Sequence, residues 1–562
     1  MKASITPYGS MRNPSLALAV LLFSALSLPG LAAPPGLEAQ AVTWRAVEGL
    51  PVGSEVERYL RVLQVAGKAP LYPWTVRQVT PRQVSRALPE TEGHPWRERL
   101  DFTLPDSGAF HAGWTRSTAG ARFNSGYPTG ENDGVVWTGK GFTGVVSGGG
   151  YLRWGRLHLR VSPVAFFAQN AAFPLADNGR DGPGAFRDGR FPTSIDHPQR
   201  FGEGTVARVD PGASSLHLAL PGLTLSASTM GQVWGPALHY PLLLGNNAGG
   251  FPHLAVQTSG PLDLWAFRLH ARHMVGTLEQ SDFSPVQGGE TRRLSSGTVV
   301  TVLPRGLEGL EVGAARFVTM VWPAGGIEAR HLFRPFSGIV HDFRGTENPS
   351  DENQLASLFF RWVVQSAGVE IYGGMIREDF ARSFRDLVEE PDDLSGRMFG
   401  FQKVWNRSER LVALRGEIVN AQVHHSERLG RFWWNKVPNP YPRYRHPGVR
   451  QGHTHHGQIL GSPTVYGGSG WTLGLDLYEG QGRWSVDLSR RFRADWLAVH
   501  DGTRGPGVGD VVYTLGLEAV RFRAGWEWRA TLAPSVNLNR NVQEGNHAFN
   551  LGIGLEVRGL PW

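Results

Sequence analysis

Cysteine is absent from the 562 residues. Disulfides, thiolate metal sites and cysteine nucleophiles are thereby excluded. Lysine is scarce: of 56 basic residues only five are Lys (Lys2, Lys68, Lys140, Lys403 and Lys436), so Arg carries nearly all the positive charge. Charged residues make up 19% of the chain, below the ~25% of ordinary soluble domains. Long apolar runs are lacking as well. Beyond the leader, no window reaches the roughly 18 consecutive apolar residues of a membrane-spanning helix, and a mean hydropathy of −0.24 excludes a polytopic helical membrane protein. What is abundant is glycine, 72 residues, and aromatics, 10% with 19 Trp. So many aromatics exclude a disordered chain. The length exceeds one ordinary core, which stops growing at roughly 250–300 residues. Several soluble domains would account for it, as would one architecture that scales differently, such as a large barrel.

Residues 1–33 read as a secretory signal peptide: a basic start at Lys2 and Arg12, an apolar stretch from Leu16 to Leu28, a break at Pro29-Gly30, and small residues at Ala32 and Ala33. A short membrane anchor is the competing reading, but the stretch falls short of the ~20 residues a spanning helix needs. Export without cysteine fits a Gram-negative-type envelope better than a disulfide-stapled secreted protein. Residues 34–100 form a distinct region, expected to be helical. Ser54 caps a pattern with Val56, Tyr59, Leu60 and Leu63 at helical spacing, and Thr80-Pro81 opens a second helix continued by Val84 and Leu88. The amphipathic faces are most simply a small core of their own.

From residue 101 the period becomes two. Leu473, Leu475 and Leu477 alternate with Thr472, Gly474 and Asp476; Trp484, Val486 and Leu488 with Ser485, Asp487 and Ser489; and Phe549, Leu551, Ile553, Leu555 and Val557 with Asn550, Gly552, Gly554 and Glu556. One apolar face and one polar or glycine face is what a strand with lipid on one side and water on the other requires. Backbone groups in lipid must be paired without a free edge, which calls for a closed barrel. A soluble β-sandwich also alternates. However, the pattern continues over 101–562 without a clear linker, and Trp and Tyr recur near strand ends as in interfacial girdles. At roughly 25 residues per strand with its share of loop, the region holds about 16–18 strands. Polar, Gly/Pro-rich insertions at 174–208, 281–297, 342–354, 381–402 and 424–470 are expected as long loops on one side. The chain ends on Trp562, similar to the terminal aromatic read by the barrel-insertion machinery, although Pro561 and Arg558-Gly559 depart from that pattern.

Four segments carry a family resemblance: Asn132-Asp133-Gly134 through Trp137 to Gly141 with Gly148-Gly149-Gly150; Ser162-Pro163 into Phe166-Phe167-Ala168-Gln169-Asn170 and Phe173; Trp234-Gly235-Pro236 with Pro241 to Leu254; and Gly452-His453-Thr454-His455-His456 to Gly461 with Gly467-Gly468. In order and spacing these resemble the capsule assembly Wzi family of outer-membrane proteins across roughly 101–562. The resemblance implies an all-β membrane protein, a large antiparallel transmembrane barrel of about eighteen strands. It also implies a small helical periplasmic piece, loops that largely close the pore, and a lectin-like, non-enzymatic role in attaching capsular polysaccharide or exopolysaccharide. Expected partners are that polymer, outer-membrane lipids and the insertion machinery; no nucleic acid and no cofactor is expected.

The insertion 424–470 is the richest candidate surface. Trp433, Trp434, Tyr441, Arg443, Tyr444 and Arg445 are expected to bind polysaccharide, rings stacking on sugar faces and Arg donating to hydroxyls and carboxylates. The plainer reading anchors Trp433 and Trp434 in the headgroup belt or packs the loop on itself. His453, His455 and His456 lack a carboxylate in their segment, so no metal site is expected. Glu389, Glu390, Asp392 and Asp393 read as solvated carboxylates rather than a glycosidase pair. Asn246-Asn247 before Gly249-Gly250 reads as a tight turn. Arg156, Arg160 and Arg529 are expected to face the interior, where pairing with Asp or Glu competes with lining an anion path. A porin-like channel for anions or oligosaccharides is the alternative function, and a glycan or lipid hydrolase a more distant third.

Overall fold

The structure, a computed structural model, describes residues 44–87, 93–101, 110–288, 290–336, 352–378, 394–422, 442–493 and 508–559. Eighteen antiparallel strands close into a barrel. In chain order they are β1 (Phe110–Asn124), β2 (Gly141–Trp154), β3 (Leu157–Val161 and Val164–Ala168), β4 (Val206–Asp210 and Ser215–Ala219), β5 (Leu223–Ser228), β6 (His253–Thr258 and Leu262–Asp263), β7 (Phe267–Leu278), β8 (Arg293–Pro304) and β9 (Leu310–Val321). They continue with β10 (Glu352–Val364), β11 (Val369–Glu378), β12 (Ser395–Arg407), β13 (Arg410–Asn420), β14 (Ser469–Glu479), β15 (Gly482–Phe492), β16 (Val511–Arg523), β17 (Trp526–Leu538) and β18 (Ala548–Gly559). Each strand pairs with its successor, and β18 returns to β1, from Gly552 opposite Asn124 to Gly559 opposite Ser117. The sheet therefore has no free edge, which is the condition for backbone in hydrocarbon.

The two-residue period becomes an inside and an outside. On β14, Leu473 and Leu475 are 46% and 47% exposed, while Asp476 beside them is fully buried. Leu225, Leu254, Val312, Leu358, Val486, Leu515 and Ile553 extend the outward apolar belt around the circumference. Trp154, Trp265, Trp362 and Trp484 are exposed toward one rim, as aromatic girdles are. The triple glycine of β2 also has a local reason. Gly148 and Gly149 lie opposite the break in β3 at Ser162-Pro163, where proline removes a ladder donor. A Cβ on Gly149 would stand 1.9 Å from the Val161 carbonyl oxygen.

Connections alternate strictly. At one end, turns of two to five residues join β2–β3, β4–β5 and so on to β16–β17; at the other, the connections run from nine to 48 residues. Strands extend further into the polar insertions than their composition suggests: β8 starts at Arg293, β10 at Glu352, β12 at Ser395 and β14 at Ser469. Hydrogen bonding with the preceding strand, not hydrophobicity, sets those ends.

The barrel interior is filled by inward-folded chain. At the short-turn end lies helix α1 (Glu55–Val65), capped by Ser54, whose hydroxyl accepts from Glu57 N, and helix α2 (Pro81–Ala87) follows. The region was expected to form its own core. Instead α1 is buried nearly all round, its polar face included. Its apolar side joins Trp44 and Trp96 to Val404, Leu411, Tyr478 and Phe522 of the barrel wall. Its polar side meets charged wall residues. Arg483 of β15 holds Glu55 through two bonds, at 2.6 and 2.9 Å. Arg58 holds Asp476 at 2.8 Å, and Arg61 holds Glu370 at 3.1 Å. Above this layer, the connection 229–252 dips inward. Val233-Trp234 pairs with Val76-Arg77, and Gly235 N donates to the Thr75 carbonyl at 2.7 Å. Glu417 of β13 accepts from Leu238 N and His239 N. A third layer, 442–468, stacks on the second: Gly245 N donates to Leu460 O, and the Asn247 amide donates to Ile459 O.

Of the arginines expected inside, Arg529 pairs with Glu55 at 3.0 Å, and Arg160 donates to the Glu48 carbonyl. Arg156 is corrected: it sits in the exposed turn between Trp154 and Leu157.

Candidate functional site

A cavity of about 260 Å³ opens at the long-loop end, above the stacked inner segments. Its walls come from connections far apart in sequence: β1–β2, β3–β4, 442–468, and the ends of β15, β16 and β17. On one side the Arg190 guanidinium lies 4.1 Å over the Tyr466 ring. Tyr466 donates to Asp188 at 3.2 Å, and Asp188 also accepts from the backbone of Arg190 and Phe191 and bonds His197. Burial pushes the Asp188 carboxyl up, but the His197 bond and the Arg190 charge outweigh it and hold it below the usual carboxylate range. Asp188 thus fixes the wall as an anion.

On the opposite side, Arg540 lies between two rings, 4.9 Å from the Tyr127 centroid and 5.3 Å from that of Phe173. Tyr127 is held by Ser535 of β17 at 2.9 Å. The turn carrying Arg540 is strained: Asn539, Asn541 and Val542 all have positive φ, and for a β-branched residue that is a true outlier. Burial and the nearby Arg493 charge pull the Arg540 guanidinium down to about 10, against the pull of Asp510. It stays cationic at neutral pH. Asp510 spends one carboxylate oxygen on Asn541 N, at 2.9 Å. Trp137 lines the cavity half-buried, edge-on to Phe201 at 5.0 Å, and Arg491 pairs with Glu131. Chemically the cavity offers planar donors, fixed carboxylates, amides such as Gln199 and Gln458, and ring faces. That set suits a polyhydroxylated ligand.

Of the residues expected to bind, Trp433, Trp434 and Tyr441 lie outside the described residues, as do Glu389, Glu390, Asp392 and Asp393. Arg443 and Tyr444 are fully buried. Tyr444 packs on His453 with ring centroids 5.2 Å apart, and its hydroxyl donates to the Leu242 carbonyl. An enclosed ring has no face for a sugar; Tyr444 instead holds the third inner layer to the second. Arg445 lies 4.1 Å over Phe191, one residue from the cavity wall at Arg190. His453 donates to the Leu243 carbonyl at 2.7 Å, and burial pushes it down to about 4. His455 accepts from Glu279 N. The Asn246–Gly250 turn is likewise internal, with Gly249 at φ +73°.

The cavity residues Tyr127, Arg190, Tyr466, Arg493, Asp510 and Arg540 were not singled out from sequence. Trp137 and Phe173 stood within the resembling segments, and Arg190 within the 174–208 insertion. Nothing local marks Arg540, because only barrel closure, with β18 pairing β1, brings the β17–β18 turn near the β1–β2 connection.

No family model matches the chain, and no curated protein matches it. Among solved structures, the chain is similar to Wzi of Escherichia coli, described as an outer-membrane carbohydrate-binding β-barrel involved in group 1 capsule assembly. The TM-score is 0.58 at 14% identity, over 90% of this chain and 99% of that one. It is also similar to Pseudomonas aeruginosa OprD (TM-score 0.36, 9% identity, 81% and 98% covered) and to a BenF-like porin of Pseudomonas fluorescens (0.38, 8%, 80% and 99%). At these identities the likeness is one of fold: a closed eighteen-stranded antiparallel barrel of the outer-membrane kind.

Proposed function

We propose that this chain is a non-enzymatic outer-membrane barrel that binds surface polysaccharide at its long-loop end and helps assemble or attach capsule or exopolysaccharide. The observation that carries the reading is the pairing of a filled interior with an open, polar and aromatic cavity above it. Three inward layers, the first tied to the wall by buried ion pairs and the others by hydrogen bonds from wall residues such as Glu417 and Arg293, favour holding a ligand over passing one. The description of Wzi as carbohydrate-binding supports the same reading. In outer-membrane barrels the long loops face outward, so on this reading the cavity faces exported polymer and the helical layer faces the periplasm.

The test uses the full chain in detergent and in cells. Purified protein is expected to retain exported polysaccharide from producing cells, and cells lacking it to shed more of that polymer. Trp433→Ala with Trp434→Ala is expected to weaken retention if that part of the 424–470 insertion contributes. No product should be released from labelled polysaccharide or lipid. Steady conductance in planar bilayers without polymer retention would instead favour the channel for anions or oligosaccharides.

A further inference from the structure

The polysaccharide reading leaves open what chemistry the cavity selects, and three buried polar atoms on its walls bear on this. Among the described residues, Arg540 Nε, Asp510 Oδ1 and Thr464 Oγ1 all lack a hydrogen-bond partner, and all three residues line the same cavity. Arg540 is 7% exposed, Asp510 4% and Thr464 6%. A buried polar group left unmade costs about 1–3 kcal/mol, so three around one cavity call for an explanation. The charges are unbalanced too. Among the described residues, Arg540 makes no ion pair within 4.0 Å, and neither does Arg493, its exposed neighbour across the cavity rim. By contrast, Arg491 beside them is paired with Glu131, and Asp188 is saturated by His197, Tyr466 and two backbone donors. The strained turn at Asn541 and Val542 holds Arg540 in place, a pattern associated with functional sites.

We infer that this cavity takes a carboxylated sugar of an acidic glycan, with its carboxylate received by Arg540 and Arg493 and its hydroxyls by Asp510 and Thr464. Guanidinium is the side chain whose fork matches a carboxylate. Asp510, an acceptor only, suits a neighbouring hydroxyl and disfavours a second anion. The half-buried Trp137 supplies a ring face on the same wall. A neutral sugar would satisfy the acceptor side and leave the two cations as they are. This inference rests on the polysaccharide-binding reading and adds the charge of the bound unit.

The test uses full-length protein in detergent and the polysaccharide exported by the producing cells, native and after carbodiimide–borohydride reduction of its carboxyls. Native polymer is expected to bind at least about tenfold tighter than reduced polymer. Arg493→Gln, at an exposed position that leaves the fold undisturbed, and Arg540→Gln are each expected to lower affinity for native polymer severalfold. Each should lower the binding of reduced polymer by clearly less than that of native polymer, and unchanged heat-modifiable gel migration checks folding. Equal binding of both polymers, or equal losses for both in the variants, overturns the inference while leaving polysaccharide binding intact. A polymer that binds without carrying carboxyls does the same. If neither polymer binds, the inference and the reading beneath it both fall.

Discussion

Arg483 is wholly enclosed and touches three carboxylates, those of Glu55, Asp476 and Glu518. Removing one side of such a buried arrangement strands the other, at a cost of about 3–5 kcal/mol. Arg483→Met is therefore expected to lower the temperature at which the barrel converts to its unfolded gel form by many degrees; unchanged migration would mean that α1 is not held there. Gly452 makes a second point. At φ +67°, a Cβ there would meet the Tyr444 carbonyl oxygen at 2.4 Å, so Gly452→Ala should loosen the third inner layer, read as faster proteolysis of 442–468 in the folded barrel. Individual residues were legible in sequence only where a pattern exposed them. Arg529 and Arg160 stood out because they alternate with apolar neighbours. Tyr444 looked like a binding ring because nothing local shows that its loop turns inward.

At the scale of elements, the strands were legible because lipid imposes the alternation directly. β14, β15 and β18 read off the sequence nearly residue by residue, and Leu475→Arg on the outer face of β14 is expected to cost about 2–4 kcal/mol near the bilayer midplane. Its neighbour Thr472, facing inward, should tolerate Ser, and a denaturant series in detergent separates the two. Helix α1 was legible from its cap and spacing, and Ser54→Ala should cost about 1 kcal/mol, seen as a small shift in the same series. What the pattern of α1 did not disclose is its second face. Glu55 and Arg61 look solvated in sequence and are buried in the structure, because their partners Arg483 and Glu370 sit on strands more than 300 positions later.

For the whole molecule, closure and a strand number of about 16–18 followed from period and length, while the filling of the interior did not. The connection 229–252 carries apolar residues such as Trp234, Leu242, Leu243 and Leu244 that are buried in the interior, but they follow neither a strand nor a helix period, and wall carboxylates such as Glu417 receive its backbone. The intact protein is expected to give no steady current in planar bilayers. Replacing residues 231–248 with a Gly/Ser linker of equal length should produce one, since the second layer bridges the first and third. A silent variant would mean that the other two layers seal the barrel alone.

The contact between Glu55 and Arg483 joins positions 428 apart. Contacts so distant in the chain form late, after intervening segments have been ordered. Synthesis delivers the helix first, yet Asp476 and Arg483, which grip its Arg58 and Glu55, lie on β14 and β15, far later in the chain. A chain stopped before β14 would therefore moor the helix at one end only, with Arg61 on Glu370 of β11 and with Glu55 and Arg58 lacking their partners on the wall.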